Sequence, residues 1–114
     1  MRTILVACLM AGIATPVMAA DRTGYRAIAT GDLKGAEQRL LAERRIFPER
    51  PELMLNLAVV YGQTGRLDAA RGLYAAVLDR PAVVMSLPTG ESVSSHEIAQ
   101  RGLSRLTPAM MATR

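Results

Sequence analysis

Gly31-Asp32-Leu33-Lys34-Gly35-Ala36 returns 34 residues later as Gly65-Arg66-Leu67-Asp68-Ala69-Ala70. A period of that length belongs to repeats in which a helix, a turn and a second helix recur as one unit. The register extends past the phrase: Ala36 precedes Leu40 by four positions, and Ala70 precedes Tyr74 by four. Two copies of one helical hairpin follow from that spacing. Each glycine, at 31 and 65, stands where a helix must turn, a position that favours a residue without a Cβ.

Apolar spacing predicts the helices. Thr23 to Thr30 is a short first helix. Leu33 to Arg45 is a second, with Leu33, Ala36, Leu40 and Leu41 on one face, and Phe47-Pro48 ends it. Glu49-Arg50-Pro51-Glu52 opens a third helix, with proline in the first turn and acids nearby. That helix carries Leu53, Leu57, Val60 and Tyr61 and closes near Gly62-Gln63-Thr64-Gly65. Leu67 to Asp79 is a fourth, with Leu67, Ala70, Leu73, Tyr74, Val77 and Leu78 as its stripe and Pro81 as its stop. Ser94 and Glu97 have capping-box spacing, so Ser95 to Leu106 reads as a fifth helix. Between them, Val83 to Leu87 and Glu91 to Val93 flank Pro88-Thr89-Gly90, which fits a small β-hairpin or an irregular loop.

Met54-x2-Leu57-Ala58-x2-Tyr61 resembles the W-x2-L-G-x2-Y signature of the tetratricopeptide repeat. Ala70-x3-Tyr74 and Ala36-x3-Leu40 resemble its A-x3-F, and Pro48 its closing proline. Methionine replaces the tryptophan and Pro81 comes one residue early. The likeness covers roughly residues 21–81. It implies an all-α fold, a short α-solenoid of two hairpins packed through Gly31, Leu33, Ala36, Leu40, Leu57, Ala58, Tyr61, Gly65, Leu67, Ala70 and Tyr74. About three such units are needed for a stable stack, so residues 94–106 are expected to cap it after a connecting stretch at 82–93, with a flexible tail over 107–114.

Residues 1–20 read as a cleavable secretory signal. Arg2 supplies the positive start, Ile4 to Ile13 an apolar stretch, Pro16 a break, and Val17-Met18-Ala19 or Met18-Ala19-Ala20 a small-residue cleavage site. The apolar run falls short of the roughly 20 residues that span a bilayer, and Gly12 interrupts it. An uncleaved tether at the inner membrane is the lesser alternative, as is lipidation at Cys8, which has too few residues before it. Removal takes the only cysteine, Cys8, with it, which suits an oxidising compartment. A periplasmic or secreted location follows, with no stable membrane insertion after cleavage. The remaining chain, about 94 residues, supports one domain.

Charge excludes a nucleic-acid binder. The 14 Lys and Arg residues stand against 10 Asp and Glu, the arginines are interleaved with acids, and Tyr25, Tyr61, Tyr74 and Phe47 offer little for stacking between basic residues. Catalysis finds no footing either. His96 is the sole histidine, no nucleophile-turn motif accompanies it, and capping explains Ser94, Ser95 and Glu97. One histidine without cysteines or clustered carboxylates lacks the ligand count of a metal site. No cofactor is expected.

The resemblance implies instead a non-enzymatic protein-binding module, an adaptor or scaffold of the bacterial cell envelope. Its partner, an unidentified protein or peptide, would lie on the concave face made by the first helix of each hairpin. Carried onto this chain, the groove residues are Tyr25, Ile28, Leu55, Asn56, Val59 and Gln63. In related repeats an asparagine at the place of Asn56 bonds a ligand backbone or a C-terminal carboxylate. The companion lysines are missing, and Arg101 and Arg105 are the candidate substitutes. Leu55 and Val59 suit internal packing equally well, and Asn56 suits a local helix-surface bond. The alternative function is a homo-oligomer in which another copy completes the short stack.

Overall fold

A computed structural model describes residues 23–87 and 89–112, with side-chain surroundings through Leu106. The predicted leader and its cleavage site lie outside the described residues. Those residues form mostly helix: α1 (Tyr25–Ala29), α2 (Leu33–Ile46), α3 (Pro51–Gln63), α4 (Leu67–Leu78), a two-stranded antiparallel sheet of β1 (Val84–Ser86) and β2 (Ser92–Ser94), and α5 (Ser95–Ala112).

The two glycine turns repeat bond for bond. Gly31 (φ 85°) and Gly65 (φ 83°) are both left-handed. Gly31 N–H donates to Ile28 C=O and Asp32 N–H to Ala27 C=O; 34 residues on, Gly65 N–H donates to Gly62 C=O and Arg66 N–H to Tyr61 C=O. This pair of bonds, six-to-one around five-to-two, defines the Schellman helix stop and satisfies carbonyls that the helix end would orphan. Threonine repeats as well. Thr30 Oγ1 donates to Arg26 C=O at 3.1 Å, and Thr64 Oγ1 to Val60 C=O at 2.8 Å. The 34-residue spacing is thus a repetition of local hydrogen bonding.

Helix starts differ between the copies. Asp32 caps α2, its carboxylate accepting from Gly35 N–H at 3.0 Å. Arg66 has no acceptor to offer α4 and turns elsewhere. It forks onto Glu37 of α2, at 3.0 and 2.5 Å, and lies 4.5 Å from the Tyr61 ring. At α3, Arg50 is extended before Pro51, as residues preceding proline prefer, and Pro51 occupies the first turn. The first helix is shorter than Thr23 to Thr30 because Gly24 has φ 69°, outside the right-handed helical range. A Cβ there would meet the Leu40 side chain at 2.9 Å, so Gly24 allows the chain to close down on α2.

Helix α3 lies between two apolar clusters. Leu53, Leu57 and Val60 join Ala36 and Leu40 of α2 on one side; Met54, Leu55 and Ala58 join Ala70, Tyr74 and Val77 of α4 and Ala99 and Leu106 of α5 on the other. A helix apolar nearly all round is a buried helix. Ala36 and Ala70 are fully buried, which lets neighbouring helices approach. Tyr61 and Leu73 touch both clusters, and Leu33 and Leu67 lie half-buried against them. The close approach of α4 to α5 is made at Gly102, where any Cβ would run into the Tyr74 ring.

The connecting stretch forms the β-hairpin, with Val84 opposite Ser94, Met85 opposite Val93 and Ser86 opposite Ser92. Ser95, buried, fastens its base. Its N–H donates to Val83 C=O at 2.8 Å, and its hydroxyl accepts from Val83 N–H at 2.9 Å. The hydroxyl takes the place of a ladder carbonyl at the residue where strand becomes helix. Ser94 Oγ accepts from His96 N–H, and Glu97 pairs with Arg101 at 2.5 Å. The expected reciprocal capping box is therefore replaced by a one-sided cap. Helix α5 passes through Thr107-Pro108 and continues to Ala112, beyond the expected end at Leu106.

Candidate functional site

The six groove candidates separate into three places. Tyr25, Leu55 and Asn56 line a hollow of about 390 Å³ whose other walls are Thr23, Glu52, Met85, Ser86, Leu87 and Ile98. Val59 and Gln63 line a second, of about 210 Å³, with Gly62, Leu67, Tyr74, Gly102, Arg105 and Leu106. Ile28 belongs to neither; it packs against the cluster around Leu40 and Leu53. One continuous row of six residues is not formed because α5 packs against α3 as well as α4.

In the larger hollow, Glu52, Leu55 and Asn56 present one face of α3, while α1, β1 and α5 supply the other sides. Leu55 is 3% exposed and packs with Met54, Ala58 and Met85, so its side chain is core that also forms floor. Tyr25 is 45% exposed at the rim. Asn56 Nδ2 donates to Thr23 C=O at 2.7 Å, a bond across 33 residues that ties the start of α1 to the middle of α3. That bond fixes which end of the amide is which: Nδ2 is used and Oδ1 is the end left to accept.

Arg101 and Arg105 do not supply a carboxylate clamp for Asn56. Arg101 is paired with Glu97, and Arg105 lines the smaller hollow. The charged side chain that does line the larger hollow is Glu52, an anion, so a carboxylate ligand beside Asn56 would meet repulsion. Sequence reasoning put Met85, Leu87, Ile98 and Glu52 in the right elements but did not name them as groove residues. A signal existed for Glu52, which stands four residues before Asn56 and so shares its helix face. For Met85 the signal was its apolar type between polar and exposed neighbours on a short strand.

The perturbed groups lie outside the larger hollow. Glu37 titrates below the usual carboxylate range because the Arg66 guanidinium bonds its ionised form. Burial raises Tyr74 above the usual phenol range, with Arg105 pulling the opposite way. His96 Nε2 lies 2.5 Å from Arg80 C=O and donates to it, and Ser94 and Ser95 are engaged in the hairpin base. The trio is committed to structure. Among the described residues no group of three or more His, Cys, Asp or Glu is placed to hold a metal ion, and no helix is long and apolar enough to cross a membrane.

Comparison with protein-family models, with curated proteins and with solved structures finds no match to this chain.

Proposed function

We propose that the protein is a small helical-repeat adaptor of the tetratricopeptide type, acting in the cell envelope after loss of residues 1–20, and that it binds a protein segment in the hollow between α1, α3, β1 and α5. The observation that carries this reading is the hollow itself: an open, largely apolar recess with Tyr25 at its rim and the acceptors Glu52 and Asn56 on its wall. Pockets that combine apolar walls with a few placed polar groups are the usual form of a binding site. The repeated helix stops at Gly31 and Gly65 support the repeat assignment. Helix α5 would then stand where the first helix of a third unit belongs.

The test is a photo-crosslinking residue placed at Tyr25, with a second chain carrying it at Leu41, which is exposed on α2. Tyr25 should link one reproducible envelope protein in cells, Leu41 should not, and the recovered chain should begin at Ala20 or Asp21. Links from Leu41 alone overturn the assignment of the hollow. A second reading, self-association that completes the stack, draws on exposed Leu41 and Ile46 at the α2 end; links only to another copy of the chain would establish it instead.

A further inference from the structure

The larger hollow lies along an unprotected strand edge. In the hairpin, Val83 pairs with Ser95 and Leu87 N–H donates to Glu91 C=O at 2.8 Å. Hydrogen-bonded pairs alternate in an antiparallel ladder, so Val83, Met85 and Leu87 direct their backbone groups toward β2. Val84 and Ser86 direct theirs to the opposite edge. Met85, Ser86 and Leu87 all line the hollow, and no residue of β2 does. Bordering three successive residues at β1 and none of β2, the hollow meets the strand on the side away from β2, at its free edge.

Apart from its shortness, three residues, that edge carries none of the usual guards. Strand edges are blunted with lysine, proline or inward charges because their open N–H and C=O groups recruit another strand. Val84-Met85-Ser86 has none of these, and the Val84 side chain is 76% exposed. Across the hollow, Glu52 makes no ion pair among the described residues, and Asn56 keeps Oδ1 as an acceptor. Both face an occupant that brings donors.

We propose that the hollow takes an extended peptide that adds as a third strand to the free edge of β1 and sets a basic residue, lysine or arginine, against Glu52. This rests on the binding assignment made above and names the form and charge of the partner. Strand addition draws affinity from main-chain bonds and specificity from alternate side chains. Here Val84 and Ser86 would supply the backbone groups. Every second peptide side chain would point at Leu55, Met85 and Ile98, with the cation at the Glu52 end.

The experiment selects a displayed library of random decapeptides on the full chain, then titrates the most enriched peptide into 15N-labelled full chain. Expected are peptides with alternating apolar residues and one fixed Lys or Arg, shifts at Leu55 and Asn56, and slowed amide exchange at Val84 and Ser86. Ser86→Pro removes one outward N–H at a place where an edge strand tolerates proline and should weaken binding about tenfold. Glu52→Gln should weaken it about tenfold for the basic peptide and leave its alanine-substituted version unaffected. Shifts at Leu55 and Asn56 with unchanged exchange at Val84 and Ser86, or selected peptides of helical spacing, overturn the strand addition while the hollow remains the binding site. Absence of any shift at Leu55 and Asn56 overturns both. Slow exchange at Val84 and Ser86 that depends on protein concentration without peptide assigns the edge to a second copy and also overturns the proposal.

Discussion

The first and second hairpins end their leading helices with the same set of hydrogen bonds, yet fill the positions around them differently. Asp32 caps α2 where Arg66 reaches back to Glu37, and Leu40 stands where Tyr74 stands in the second copy. Both large residues press on a glycine of a neighbouring segment, Leu40 on Gly24 and Tyr74 on Gly102. The backbone turn is therefore the invariant of the repeat, and the side chains around it adapt to whatever lies alongside.

The largest effect is expected at Gly102. Gly102→Ala places a methyl into the Tyr74 ring and should cost about 2–3 kcal/mol in urea unfolding, despite alanine's better helix propensity. Combining it with Tyr74→Leu, which makes the second hairpin like the first, should recover part of that loss. Strict additivity of the two substitutions would break the comparison. Next come Gly31→Ala and Gly65→Ala. A Cβ at either meets open space, so only the left-handed backbone resists it, at about 1 kcal/mol each. Equal and additive losses would confirm that the turns are the same object; unequal losses would show tertiary strain in one.

Asp32→Ala should cost about 1 kcal/mol, the usual value of a lost helix cap, with little dependence on salt. The smallest effect is expected from Glu37→Gln, a lowering of the melting temperature by about 2 °C or less at neutral pH, as for a half-exposed ion pair. Its pH dependence has a definite sign. Because Arg66 lowers the Glu37 pKa in the folded chain, the stabilisation is present above the ordinary carboxylate range and is lost as pH falls through the lowered value. The difference between wild type and Glu37→Gln should vanish in acid; a difference that persisted there would mean that the contact is not ionic.

Local structure was legible in the chain and distant structure was not. The offset from Gly31 to Gly65, the proline at 51 and the apolar faces of α2 and α4 are properties of neighbours in sequence, and helices and turns form where those readings put them. The bond from Asn56 to Thr23 joins residues 33 apart, and no periodicity marks it. Leu55 was open to two readings because its burial depends on α4 and α5 arriving on that side of α3. The candidates Val59 and Gln63 parted from Tyr25 and Asn56 for the same reason. Gly102 did carry a signal: a lone glycine within an apolar helical pattern usually has a packing reason.

The fastening at the base of the hairpin also says where the chain can be cut. Val83, Ser95, His96 and Arg80 hold the two ends of the hairpin together from below, and the ladder from Val84 to Ser94 holds them along its length. Thr89 and Gly90 are exposed at the tip. Tips of this kind are where chains accept breaks and insertions. A nick between Thr89 and Gly90 would leave a four-helix piece and a helical piece that still share the sheet and the Tyr74 contact. Two such fragments, expressed apart and each fused to half of a reporter, are expected to reassemble through those contacts, with recovery of the reporter signal as the check.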